Sequence, residues 1–148
     1  MRSRVTLAIM VGIVLLLVGC GSSSSGASSG SSGSGSLLVG VLWEWTGGQS
    51  AHPPSLHAVP DPSSYLLRLG SDGSFEAQAD CNQIHGTYTL SGQNLSLSLG
   101  PSTLAACGPN SLDETYVHQL AMVEHWSLTN GQLALSLKDG DQMFFHES

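Results

Sequence analysis

The sequence predicts an α+β domain: a curled, mostly antiparallel sheet of about seven short strands with one amphipathic helix packed on it. Three observations predict it. Short runs alternate apolar with polar residues, as in "LSLSL" at 95–99 and "LALSL" at 133–137, the period of a strand with one buried face. Tight-turn pairs, Asn130 with Gly131 and Asp139 with Gly140, separate such runs and suit hairpins. One segment alone carries apolar residues at helical spacing.

The elements follow in order. Trp43 and Trp45 share parity in a first strand, so both are expected in the core; a stacking platform for sugar or peptide is the alternative, and extends to Trp126. "GGQSAHPPSLHAVPDPSS" at 47–64 holds four of the six prolines, which excludes a central strand. It reads as a long unstructured loop, either a tolerated insertion or a binding loop carrying His52, Leu56 and His57. "YLLRL" at 65–69 alternates, "GSDG" at 70–73 turns the chain, and "SFEAQAD" runs back. Strands are then expected at 86–90, 95–100, 133–138 and 142–146. Between them, Ser111 with Glu114 three residues later forms a capping box. Leu112, Tyr116, Leu120 and Val123 recur at helical spacing, so a helix of about three turns should lay one stripe on the sheet.

The first 36 residues cannot belong to this domain. Arg2 and Arg4 precede an apolar run from 5 to 18, the plan of a secretory signal peptide. That run is shorter than the ~20 residues that span a bilayer. It ends in "LVGC" at 17–20, which matches the bacterial lipobox, where the signal is cut before the cysteine and the thiol is diacylated. Residues 21–36 are ten serines, five glycines and one alanine, a solvated tether with a root-mean-square span of ~22 Å. The expected organisation is a signal peptide at 1–19, a lipidated Cys20 with its tether at 20–36, and a domain at 37–148. The expected location is extracytoplasmic, anchored in the cell envelope by lipid on Cys20. Gly21 is not the aspartate associated with inner-membrane retention, and which membrane holds the anchor stays open.

Beyond the signal, two cations (Arg68 and Lys138) face eleven acids, a formal net charge of −9. Two cations cannot neutralise a phosphate backbone, so nucleic acid is excluded as a partner. The same charge argues against adhesion to anionic lipid and leaves acyl chains as the attachment.

Three chemistries compete for "ADCNQIHGTY" at 79–88. With Cys20 assigned to the anchor, Cys81 and Cys107 remain, an even number in a compartment where disulfides persist. A disulfide between them would pin the connection before the helix to the sheet. A nucleophilic Cys81, with His85 as base and either Asp80 or another acid to orient it, requires a free thiol; Asp80 and Cys81 would point to opposite faces of a strand, which weakens Asp80 in that role. For a metal, the six histidines (52, 57, 85, 118, 125 and 146) are scattered. His118 and His125, placed two turns apart on the helix, would be ~10 Å from each other, and His52 with His57 lack a third ligand. No metal and no cofactor is expected. Neither G-x-S-x-G nor H-E-x-x-H nor a phosphate-cradling glycine loop occurs. Asn94-Leu-Ser, a formal glycosylation sequon, is expected simply to begin a strand.

Taken in order, Trp43, "DGSF" at 72–75, "DCNQIHGTY" at 80–88, "TLAAC" at 103–107 and "ETYVHQLAMVEHW" at 114–126 resemble the META domain, as in HslJ-like lipoproteins of bacterial envelopes. The resemblance spans nearly all of 41–146. Its motifs are short, and it is their order and spacing that are specific. Two departures stand out: the residue before the Cys-Asn pair is often glycine in the family and is Asp80 here, and the Pro-rich insertion after Trp45 is longer than usual. The resemblance implies antiparallel strands with one helix, no established catalytic activity, loose associations with envelope stress and antibiotic tolerance, and in some members a likeness to pilotin-type lipoproteins. The functional expectation is a non-enzymatic, membrane-anchored binding or envelope-stress protein of unknown ligand. The alternatives are a pilotin-like binder of lipid or peptide, and a hydrolase centred on Cys81 and His85.

Overall fold

The computed structural model describes residues 35–148. The expected signal peptide, Cys20 and most of the tether lie outside the described residues. Gly35 and Ser36, expected in the tether, instead form with Leu37 a single 3-10 turn that sits against Leu90.

Nine strands and one α-helix follow: β1 (Leu42–Ala51), β2 (Pro54–Ala58), β3 (Tyr65–Leu69), β4 (Ser74–Ala79), β5 (Asn82–Ser91), β6 (Asn94–Ser102), α1 (Asp113–Ala121), β7 (Val123–Thr129), β8 (Gln132–Leu137) and β9 (Gln142–Glu147). The sheet is antiparallel and curled, as expected, but it goes further and closes. β1 pairs with β9 from Trp43↔Glu147 to Gln49↔Gln142, so β1 and β3–β9 form an eight-stranded barrel. β2 extends the sheet as an outer strand, sharing with β3 the other edge of β1.

Two strands go beyond the expected seven. β2 lies inside the segment read as an unstructured loop; Pro54 opens it on the edge of the sheet, where a missing amide costs no ladder bond. β7 lies where the helix was expected to continue. α1 ends at Ala121, and Val123 and Trp126 belong to β7. His125 is therefore a strand residue and does not share the helix with His118.

Alternation builds the interior. Tyr65, Leu67 and Leu69 of β3, Phe75, Ala77 and Ala79 of β4, Leu95 and Leu97 of β6, and Leu133, Leu135 and Leu137 of β8 are all buried. Curvature comes from β-bulges after Trp45, Ile84 and Val123, which bend strands and increase twist. Gly86 sits at the second of these, where a β-carbon would collide with the Ser98 carbonyl and the Phe75 ring. The Asn130–Gly131 turn joins Thr129 to Gln132 with φ of 51° and 80°, the left-handed pair a two-residue hairpin requires. Asn94 does begin a strand.

The three tryptophans are core residues. Trp43 and Trp126 are nearly buried and donate to the carbonyls of Leu38 (3.3 Å) and Gly92 (2.9 Å), while Trp45 is fully buried. α1 covers one end of the barrel. Its Tyr116 ring packs 5.2 Å from Trp45, 5.6 Å from Tyr65 and 6.4 Å from Phe145, an aromatic cluster with tilted and edge-on geometry. Among the described residues, every core side chain comes from 38–145.

Candidate functional site

The corner between β4 and β5 holds the Asp80-Cys81-Asn82 stretch of "ADCNQIHGTY". Ala79 pairs with Asn82, leaving Asp80 and Cys81 as a two-residue loop. Asp80 has φ of 54°, at the first central position, where such loops prefer glycine. Aspartate is among the few other residues that tolerate it.

Cys81 is bonded to Cys107, with 5.7 Å between the α-carbons. Neither sulfur is a free thiol in this structure. His85 lies on the outer face and meets Glu76 across the ladder, Nδ1 to Oε1 at 4.0 Å. Asp80 borders a separate depression with Asp61. The structure thus does not assemble Cys81, His85 and Asp80 into a nucleophilic unit.

Asn82, which the sequence reading passed over, organises this corner. It is the one buried polar residue in the described core. Its Oδ1 accepts from the Ala105 amide at 2.8 Å and from Thr103 Oγ1 at 3.1 Å. Its Nδ2 donates to the Ala105 carbonyl at 3.1 Å and to Asp113 Oδ2 at 3.2 Å. Thr103 adds a backbone bond to Gln83 at 3.0 Å and a side-chain bond back at 2.9 Å. Together with the disulfide, these bonds fix "TLAAC" against β5 and tie it to the start of α1. The linkage of "DCN" with "TLAAC" is a clamp.

The helix start differs from the expected capping box. The N-cap is Leu112, whose amide donates to Tyr65 Oη at 2.8 Å. Ser111 Oγ accepts from Asp113 at 3.2 Å, one residue short of the expected contact, and Glu114 makes no return bond to the chain before it. Tertiary partners, Tyr65 and Asn82, set this end of the helix in place of local capping.

The clamp has a surface consequence. Leu104, one residue along from Thr103, is 92% exposed. Beside it runs an open groove of about 330 Å³ between β5 and α1. Leu104 and the half-buried Val117 give it an apolar strip over the buried Ile84; Asp113, Glu114 and His118 stand at its rim. No lysine or arginine lines it. Arg68 and Lys138 line depressions elsewhere. Leu104 was a lone leucine among small residues, and Val117 packs partly against the core, so neither carried a sequence signal of function.

His52, Leu56 and His57 come together in one element, the β1–β2 hairpin, and all three are exposed, Leu56 at 78%. The His57 ring lies over Gly48 and edge-on to Trp45 at 6.0 Å. They lie on an exposed edge of the sheet. Among the described residues, no three His, Cys, Asp or Glu side chains converge as a metal site would require. His125 lies 3.9 Å from Glu124 and His146 lies 3.4 Å from Glu44, each as a surface pair.

The electrostatics of the buried groups are structural. Burial raises Tyr116 well above the ordinary phenol value, and its hydroxyl, like Trp45 Nε1, has no hydrogen-bond partner. Tyr88 is raised by burial and then by the nearby Asp72; its hydroxyl donates to the Gly70 carbonyl at 2.6 Å.

Fold and site together define a small disulfide-bridged β-barrel with one helix over its end and a clamped apolar ridge on its surface. The chain belongs to the META domain family, whose model matches residues 38–148. An NMR structure of a protein from Burkholderia xenovorans is similar at 26% identity and a TM-score of 0.63, over 76% of this chain and 85% of that one. A crystal structure of a DUF4847-family protein from Bacteroides vulgatus shares the fold at 12% identity and a TM-score of 0.54, over 75% of this chain and 94% of that one. No curated protein matches the chain.

Proposed function

We propose that this protein is a lipid-anchored, extracytoplasmic binding protein whose META domain acts by docking and not by catalysis. The signal at 1–19 is removed, Cys20 carries the acyl chains, and the Gly/Ser tether lets the domain range ~22 Å from the membrane surface. The observation that carries the docking role is Leu104, presented almost fully exposed by a segment clamped at both sides. An isolated exposed leucine needs no explanation. One held rigidly beside an apolar groove is pre-organised for contact, which lowers the entropy cost of binding. The same groove supports the pilotin-like reading, in which a lipid or peptide segment is held. The hydrolase reading has less support, because its nucleophile is oxidised and its histidine faces Glu76.

The anchor is tested by metabolic labelling with a palmitate analogue. Label that is lost in Cys20→Ala, with release of the protein from membranes, is expected; label retained in that variant overturns the anchor. The docking role is tested by in-membrane cross-linking of the anchored chain. Deleting 47–64 is unsuitable as a control, since residues 47–51 lie in a barrel strand. Leu104→Ser and Leu56→Ser are the right comparisons. A partner lost with either supports docking, and no enriched partner in any form counts against it.

A further inference from the structure

We propose that the groove between α1 and the 103–107 segment docks a cationic amphipathic peptide segment of a partner protein, its apolar side chains on Leu104 and Val117 and its Lys or Arg side chains on the acidic rim. This rests on the docking reading above and specifies its chemistry.

Three features set that chemistry. The first is shape: the groove is open along its length and lies near the lower limit of ~300–1,000 Å³ for ligand sites, which fits side chains of a segment laid across it. The second is pre-organisation. Both neighbours of Leu104 are hydrogen-bonded, Thr103 to Gln83 and Ala105 to Asn82, so the leucine projects from a fixed backbone. The third is charge. The groove shares Asp113 and Glu114 with the depression over 105–115. That depression shares Gly108 and Ser111 with the one bordered by Asp61 and Asp80. Four carboxylates therefore ring this end of the domain without an arginine or lysine among them. Asp113 is engaged by Asn82, which leaves Glu114 as the uncommitted acid at the strip. An apolar strip edged by one sign of charge selects the complementary segment and repels acidic ones.

The test uses residues 21–148, which contain the whole span matched by the family model and every core side chain among the described residues. The probes are a fluorescent amphipathic peptide of Lys and Leu at helical spacing, its Glu/Leu counterpart, and vesicles of phosphatidylcholine or phosphatidylglycerol. Binding is read by anisotropy and located by amide NMR shifts. The Lys/Leu peptide is expected to saturate, to shift amides at 102–106 and 113–118, and to weaken with added salt. Leu104→Ser should weaken it about tenfold with an unchanged urea midpoint, since that side chain supports no core. Glu114→Lys should weaken the Lys/Leu peptide and admit the Glu/Leu peptide. Equal affinity for both peptides, shifts confined to the β1–β2 hairpin, preference for vesicles, self-association alone, or no binding would each overturn the proposal. If the anchored chain still cross-links its partner when Leu104 and Glu114 are replaced, docking stands and this groove falls. If it cross-links nothing, the docking reading itself fails.

Discussion

Asn82→Ala tests the clamp directly. The substitution removes five side-chain hydrogen bonds: two to Ala105, one to Thr103 and one to the Asp113 carboxylate between 2.8 and 3.2 Å, and a weaker one to Cys107 Sγ at 3.4 Å. A typical bond contributes a net ~0.5–1.5 kcal/mol, and a bond to a charged group ~1.5–3. Thr103 and Ala105 are exposed, so water replaces part of what they lose. The expected cost is then ~2–4 kcal/mol. Urea unfolding followed by the fluorescence of the three buried tryptophans reads it as a midpoint lowered by about 1–2 M. The disulfide and Asn82 hold the same segment, so the two should couple by at least ~0.5 kcal/mol in a double-mutant cycle. Asn82→Asp adds a sign. A carboxylate facing Asp113 raises a folded-state carboxyl pKa, so its excess cost should be largest at neutral pH and shrink as acid protonates the pair. A cost under ~0.5 kcal/mol for Asn82→Ala, or an identical cost with and without the disulfide, would refute the clamp.

Reducing the disulfide, or replacing both cysteines with alanine, opens a 26-residue loop and should cost ~3.5 kcal/mol on the chain-entropy account; a thiol count before and after reduction checks the bond itself. Tyr116→Phe removes a buried hydroxyl without a partner and should raise stability by ~1 kcal/mol, read from the urea midpoint. The phenol's raised pKa contributes stability that is complete below the unfolded value near pH 10 and is lost as pH rises through the folded one. The variant should therefore lose less stability in strong alkali. Asp72 behaves oppositely. Hydrogen bonds from the Ser74 side chain and then its amide lower its pKa, so its contribution is present above the unfolded value of 3.8 and fades as pH falls through the folded value; Asp72→Asn should flatten the acid limb of the stability profile. At the left-handed Asp80, glycine should be neutral to stabilising by ~1 kcal/mol and valine destabilising by at least that much, with thermal midpoints deciding.

What the sequence by itself determined was local. Alternation in "YLLRL", "LSLSL" and "LALSL" fixes which side chains enter the core, because a strand's period of two is set by its backbone. Asn130 with Gly131 marks its turn because those residue types tolerate positive φ. The family was legible from motif order, and the pairing of Cys81 with Cys107 from thiol parity in the expected compartment. Tertiary structure decided what depends on distant neighbours. Barrel closure is a pairing between β1 and β9, about a hundred residues apart, and no local pattern encodes it. β7 was hidden because its bulge places buried Val123 and Trp126 three residues apart, which imitates a helix. All five residues of β2 are exposed, so β2 carries no alternation and is held only by β1. The helix starts where Tyr65 and Asn82 hold it, not where Ser111 and Glu114 would cap it. Leu104 reads as any leucine until the clamp shows that the chain holds it out of the core, since exposure belongs to the assembled surface and not to the residue.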